Sequence, residues 1–285
     1  MLTANSPGLM SVNNLKIGFI GAGNMAAAIC GGLLQDSDFT RKYPSVKLSV
    51  SDNDPDQLEK FKQKFPAIGT SKDNPFIVLA SNVVFLAVKP QIMNNVLAEL
   101  GAIVKDRLVI SIAAGITLKQ LKEKLPEASL ARVMPNTPCL VGEGMSAVCY
   151  SDNVSRTDRE LVKDLLSSVG RTLEVKEGQI NAITGLSGSG PAFVYEVAKS
   201  FIKAGKAIGL DDHTAHLLTA QTILGAGKML LDRAESPAEL VQMVASPGGT
   251  TEAGLKVLNS DDNWRNVITD TIIAAKNRAD ELSNK

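Results

Sequence analysis

KIGFIGAGNMAAAICGGLL, residues 16–34, opens as a short apolar strand, turns at two glycines and continues with small and apolar residues at helical spacing. Gly21, Gly23 and Ala26 fit G-x-G-x-x-A where the strand feeds the helix. The first glycine permits the tight turn, and the second lets backbone approach a pyrophosphate. The small third residue lets the helix pack on the strand. Glycine-rich turns of this spacing also arise by chance. The strand–turn–helix setting is what makes this one a dinucleotide-binding pattern.

Alternation continues outward from it. VKLSV (46–50) reads as a strand, and DPDQ then starts a helix with Asp54 as cap, Pro55 at its first position and Gln57 completing a capping box. NVVFLAV (82–88) is an unbroken apolar run, as expected of a central parallel strand. RLVISIAAG (107–115) is another, followed by Thr117 and Gln120 as a second capping box. LARVM (130–134), SAVCY (146–150) and TLEV (172–175) are further strands, and a helix is expected from cap Thr157 to a stop at Gly170. This pattern predicts a doubly wound parallel sheet. Ligands in such sheets bind beyond the carboxyl ends of the strands. The residues there are Gly21, Ala22, Gly23, Asn24 and Met25, then Asp52, then Ala87, Val88, Lys89 and Pro90, then Ala113–Gly115 and the MPNTP turn at 134–138.

Asp52 ends the second strand, where a carboxylate would bond the ribose hydroxyls of NAD, and SDND contains no cation for a 2′-phosphate. Asp52 and Asp54 read equally well as turn and cap residues. The choice between NADPH and NADH stays open. QDSDFTRKYPS reads as an insertion that lengthens the path from Gly23 to Asp52. Lys89 ends its strand at the ligand edge, but the Lys-Pro pair is better read as shaping a turn, with the lysine stem against the cofactor.

From about Glu177 the spacing becomes helical, with starts at Pro191, Asp211–Asp212, Ser236 (a third capping box), the ASPGGTT turn and Asp261–Asp262. The expected organisation is a flexible tail over 1–14, a Rossmann domain over 15–176, and an all-α domain over 177–285. The helix at 212–231 is small or apolar around most of its circumference, which requires burial on most sides. A thin helical domain cannot supply that alone, so a homodimer through this half is expected. His213 and His216 share a helix face, with one ring expected at the surface and one half-buried. They have only Asp211 and Asp212 beside them, so no metal site is assigned.

The bulk numbers narrow the function classes. Thirty basic residues balance thirty acidic ones, which leaves no electrostatic case for nucleic acid or an anionic membrane. Cys30, Cys139 and Cys149 form no CxxC and have no histidine near them in sequence, as suits a reducing compartment rather than a catalytic thiol. MLTANSPGLMSVNN has neither a basic start nor an apolar run, and the apolar stretch 215–231 is too polar to span a bilayer. A cytoplasmic location follows as the expectation.

With GFIGAGNM, FLAVKP, SIAAG, MPNTP, LSGSGPAF and SPGGTT in order, the chain from about Lys16 to Leu282 resembles the pyrroline-5-carboxylate reductase family. The ordered set of MPNTP, SGSGPA and SPGGTT is the specific part. The resemblance implies hydride transfer from NADPH or NADH to the C=N carbon of L-Δ1-pyrroline-5-carboxylate, the last step of proline biosynthesis. It implies interlocked helical domains, and it leaves open a larger assembly of dimers. Carried over, Gly21 to Met25 would hold the pyrophosphate and Asn74 would approach the adenosine end. Ala87, Val88, Lys89 and Pro90 would line the cofactor path, with Ala113 and Gly115 near the nicotinamide. Ser246, Gly248, Gly249, Thr250 and Thr251 would bind substrate. Two departures stand out: Asp52 lies where the family often has an uncharged or basic residue, and Thr250 where alanine is common.

The chemistry agrees with these residues. SPGGTT before a helix points backbone N–H groups at a carboxylate without lysine or arginine, although an ordinary helix cap would look similar. A protonated imine already carries its proton, so the main task is to hold two rings in register. The Thr251 hydroxyl can steady that proton and is the candidate catalytic group. A β-hydroxyacid dehydrogenase would carry lysine at Val194 and asparagine at Ala198, so that rival is weak. A non-catalytic NAD(P)H-binding redox sensor would have no use for the SPGGTT turn. A reductase of a related cyclic imine would use the same one.

Overall fold

The computed structural model describes residues 14–283, so the tail expected over 1–14 falls outside it apart from Asn14. The chain forms two compact units. The first runs through Ser189 and takes in the chain from Ala275 onward, and the second is Gly190–Ala274.

The first unit is built on an eight-stranded sheet. Its strands are β1 (Lys16–Ile20), β2 (Lys47–Ser51), β3 (Gly69–Ser71), β4 (Val83–Leu86), β5 (Leu108–Ser111), β6 (Ser129–Met134), β7 (Gly144–Tyr150) and β8 (Gly170–Glu174), in the order β3-β2-β1-β4-β5-β6-β7-β8. The helices between and after them are α1 (Asn24–Gln35), α2 (Ser37–Lys42), α3 (Pro55–Lys64), α4 (Asn74–Leu79), α5 (Pro90–Leu100), α6 (Leu118–Lys124), α7 (Arg156–Ser167) and, past β8, α8 (Ile180–Ile183). Alternate residues of β1 serve opposite faces. Ile17 and Phe19 pack with α1, α3 and α7, while Ile20 packs with α4, α5 and α6. Phe19 stacks on Phe85 of β4 with ring centroids 4.7 Å apart. Both faces are therefore covered, as apolar parallel strands require.

Several local expectations change. The sheet is not wholly parallel: β7 runs antiparallel to β6, because the short link holding the 3₁₀ turn Thr137–Val141 cannot make a crossover. The three-residue β3, GTS, and the short helix α4, NPFIVL, were not among the elements expected. Helix α7 is capped by Ser155 rather than Thr157, and it ends at Ser167. Asp54 does cap α3, accepting from Asp56 and Gln57 N–H, but without the reciprocal bond of a capping box. The boxes at Thr117–Gln120 and Ser236–Glu239 are complete in both directions. The lengthened path between Gly23 and Asp52 folds as α2, which Asp36 caps and Phe39 anchors in the core.

The second unit holds α9 (Gly190–Ala207), α10 (Asp212–Asp232), α11 (Pro237–Val244), α12 (Thr250–Leu258) and the first part of α13 (Asn263–Ser283). Helices α9 and α10 approach closely at Gly205, where an added Cβ would lie 3.1 Å from the Ala215 Cβ. Among Gly190–Ala274 only Ala215 and Thr219 are buried. His213 and His216 are both exposed, so the half-buried ring expected of that pair is not found in the single chain.

Candidate active site

The strand order reverses between β1 and β4, and the turns after these two strands meet there. Gly21, with φ +105°, begins the first turn, and a Cβ on it would sit 2.8 Å from the Ala87 carbonyl oxygen. Only glycine fits both the left-handed backbone and the close approach. Gly23 is the N-cap of α1, and an added Cβ there would meet nothing within 4 Å. No side chain caps α1 and its first turn carries no acidic residue. Its N–H groups and positive dipole end therefore face open space at a sheet switch point, which suits a pyrophosphate.

The neighbouring turns close around this point. Gly21 N–H donates to Ser51 O at 2.7 Å, and Asp52 follows immediately. The Asp52 carboxylate accepts from Ala22 N–H at 2.8 Å and from Asp54 N–H at 2.9 Å, so both oxygens hold turns in place. Asn74 is buried; it accepts from Ser51 Oγ at 2.7 Å and donates to Glu99 at 2.7 Å. The structure thus commits the Asn74 side chain within the protein, beside the end of β2. Lys89 is exposed at the N-cap of α5, with no side-chain cap bond. Ala87 and Val88 precede it as half-buried wall, and Pro90 opens α5.

Beyond β5, Ala113 is buried and Gly115 (φ +79°) faces the end of α13; a Cβ there would lie 3.0 Å from Leu282 Cβ. Beyond β6, Asn136 of the MPNTP turn accepts from Met145 N–H at 2.8 Å and donates to Ser187 O at 3.2 Å. Ser187 lies in a π-helical stretch, Thr184–Gly188, where Gly188 packs so closely that a Cβ would come 2.7 Å from Met134 Cε. Such wide turns recur at functional sites. The first unit therefore brings together Gly21–Met25, Asp52, Ala87–Pro90 and Ala113–Gly115 along one sheet edge.

Ser246, Gly248, Gly249, Thr250 and Thr251 lie in the second unit, in the turn that opens α12. Gly248 takes φ +73°, and Gly249 N–H donates back to Ser246 O at 3.0 Å. The Ser246 hydroxyl folds over Gly249, where a Cβ would meet it at 2.5 Å. No side chain caps the helix, and Glu252 reaches back to the Gly248 N–H at 2.7 Å. This last contact was not foreseen.

Sequence reading also missed a buried polar cluster. Arg132, on the otherwise apolar strand β6, is 3 % exposed and bonds Glu177 and Asn181. A lone arginine inside LARVM was the signal available. Burial pushes the thiols of Cys30, Cys139 and Cys149 above the ordinary range, Cys149 to about 12, so all three stay protonated at neutral pH.

Comparison with known proteins places this geometry. A family model for pyrroline-5-carboxylate reductase dimerisation matches residues 177–282, and one for NADP oxidoreductase, coenzyme F420-dependent, matches 16–115. Pyrroline-5-carboxylate reductase 3 of Danio rerio is 38% identical over 285 residues, covering 99% of this chain and 96% of its own. A pyrroline-5-carboxylate reductase structure from Coxiella burnetii superposes with TM-score 0.84 at 38% identity, over 94% of this chain and 98% of that one. The Plasmodium falciparum pyrroline carboxylate reductase with NADP bound gives 0.82 at 30% identity, with the same coverage. Likeness at this level over nearly the full length of each chain shows the family, and the chain belongs to the pyrroline-5-carboxylate reductases.

Proposed function

We propose that this chain reduces L-Δ1-pyrroline-5-carboxylate to L-proline with NADPH or NADH. The observation that carries the reading is the uncapped start of α1 behind Gly21 and Gly23, at the switch point of the sheet, in a chain of this family. NAD(P)H supplies the hydride when bound. Within the Gly21–Met25 turn, Gly23, Asn24 and Met25 present backbone N–H groups to its pyrophosphate, while Gly21 and Ala22 shape the turn with their own N–H groups bonded to Ser51 and Asp52. The Ala87–Pro90 and Ala113–Gly115 turns flank the path toward its reactive end. Asp52 meets the adenosine ribose. Because its two oxygens already brace the Ala22 and Asp54 turns, the carboxylate is fixed in place, which favours ribose hydroxyls over a 2′-phosphate. Asn74 serves the adenosine end by bracing Ser51 from behind.

The turn Ser246–Thr251 takes the substrate carboxylate on the N–H groups that open α12, with Gly248 and Gly249 letting the backbone curl round it. Thr250 adds a hydroxyl at the rim. Thr251 is the catalytic candidate: its hydroxyl makes no hydrogen bond among the described residues and can donate at the ring nitrogen. No general acid of altered pKa is required, because hydride transfer neutralises an iminium that already carries its proton.

The working form is a homodimer through the second unit. Support comes from the dimerisation model over 177–282 and from the apolar side chains that this unit leaves in solvent, Phe201 at 56 % and Leu218 at 53 % exposure among them. Cytoplasmic operation fits three buried, unpaired thiols; no described helix is long and apolar enough to cross a membrane. The test is NAD(P)H oxidation at 340 nm with L-Δ1-pyrroline-5-carboxylate, run with each cofactor. Turnover is expected with both. Cofactor binding without turnover would leave the redox-sensor reading in its place.

A further inference from the structure

Arg132 occupies the middle of β6, paired in register with Ser111, the last residue of β5. Its side chain is 4 % exposed, and burying a guanidinium there is costly unless it is paired and hydrogen-bonded. The donors divide. One nitrogen bonds the Glu177 carboxylate at 3.1 Å, and the same carboxylate oxygen accepts the Leu118 N–H at 2.6 Å. Leu118 opens α6, directly after the turn that follows β5. The other nitrogen bonds Asn181 Oδ1 at 3.3 Å. Asn181 donates to Asp280 at 2.9 Å and accepts from Ser283 at 3.2 Å, which ties down the last turns of α13. From those turns Leu282 packs on Gly115, in the middle of the same β5–α6 turn.

We infer that Arg132 is a positioning residue for the reductase site: one buried guanidinium grips the β5–α6 turn from both sides, through Glu177 at its far end and through Asn181 and the end of α13 at its centre. The inference rests on the reading above, in which Ala113 and Gly115 border the reactive end of the cofactor. The arrangement has a physical purpose there. Ile112 and Ile116 anchor the two ends of the turn in the apolar clusters, but Ala113, Ala114 and Gly115 between them have no side chain large enough to lock the centre. Hydride transfer is sensitive to displacements of about 1 Å. Arg132 touches neither cofactor nor substrate in this scheme. It acts by holding the turn still. A lysine at this position keeps the charge but lacks the planar fork whose separate nitrogens reach Glu177 and Asn181.

The experiment compares Arg132→Met and Arg132→Lys with Arg107→Met. Arg107 lies at the opposite end of β5, where it bonds the backbone carbonyls of Val78, Ser81, Ile103 and Lys105. Its loss weakens the fold away from the site. Amide hydrogen exchange without cofactor is measured on 112–118 and 275–283, and kcat and KM are measured in the full-length protein. Both Arg132 variants are expected to exchange faster on those two segments and to lose about tenfold in kcat with little change in KM for substrate. Arg107→Met is expected to lower Tm while keeping kcat.

The inference is overturned if Arg132→Met is folded and loses stability as Arg107→Met does, yet keeps wild-type kcat or wild-type exchange on 112–118. Should Arg132→Met not fold, Asn181→Ala and Asp280→Ala break the α13 arm alone. Faster exchange on 112–118 with a few-fold loss in kcat supports the grip, and wild-type behaviour in both overturns it. A wild-type protein without turnover would sink the reductase reading, while the exchange comparison would still decide whether Arg132 holds the turn.

Discussion

The two units of this chain draw on the same apolar alphabet and end in opposite states. In the first, β1, β4 and β5 are almost wholly buried, and helices cover both faces of the sheet. In the second, five helices leave Val197, Phe201, Leu217, Leu218 and Leu224 more than 45 % exposed, and only two residues are buried. A helical unit does not keep so many large apolar side chains in water unless something covers them, since burying each contributes about 1.5–3 kcal/mol. The lesson is a division of labour. In the scheme we propose, the sheet unit completes its own core and offers an edge for the cofactor, whereas the helical unit completes its core with a second copy and contributes the substrate turn.

The largest effect should come from spoiling the open unit. Phe201→Asp places a carboxylate where the proposed interface is apolar, and an unpaired buried charge costs several kcal/mol. The dimer dissociation constant is expected to rise at least about 100-fold, with a parallel loss of turnover, as read by sedimentation velocity and activity at matched concentrations. An active monomer would break the division of labour.

Damage to the closed unit should look different. Gly21→Val forces a β-branched residue to φ +105° and drives its Cβ into the Ala87 carbonyl. Cofactor affinity is expected to fall about 30- to 100-fold, for about 2–3 kcal/mol of strain and lost approach, with the dimer intact. Titration by NADH fluorescence and a sizing run check both halves of that statement.

Thr251→Ala sharpens the role of the substrate turn. Loss of one well-placed donor to a charged or polar partner is expected to lower kcat/KM about tenfold. A fall carried by kcat supports proton handling at the ring nitrogen, and a rise confined to KM reduces Thr251 to binding. The smallest effect belongs to Asp52→Ser. Removing the carboxylate should shift the NADH-to-NADPH ratio of kcat/KM toward NADPH by roughly fivefold, on the order of 1 kcal/mol. A ratio that does not move would leave Asp52 as a brace for Ala22 and Asp54 alone.

How much could be read without coordinates follows the same divide. The glycine turn at 21–23, the apolar central strands and the Ser236–Glu239 cap announced themselves, because each needs only local chemistry. The antiparallel β7 did not, since the nearly continuous burial of GMSAVCY suits either direction, and the short link before it decides the pairing. Strand β3 has three residues and little apolar content, so no period marks it. Of the candidate site, the positions of Gly21–Met25, Ala87–Pro90 and Ala113–Gly115 were legible as strand ends. The commitment of Asn74 to Ser51 and Glu99, and the reach of Arg132 through Asn181 to Asp280, were not. Those pairs are 23 and 25 residues apart for Asn74 and 49 and 99 residues apart for the Arg132 chain, and only the folded sheet brings them together.

The most direct measurement is the mass of the full-length protein in solution by sedimentation equilibrium, down to nanomolar concentration, with turnover of L-Δ1-pyrroline-5-carboxylate followed over the same range. The expected result is a dimer or a multiple of dimers, with activity lost wherever dilution yields monomer. A stable monomer that reduces the substrate at the full rate would contradict the proposal that the helical unit needs a second copy.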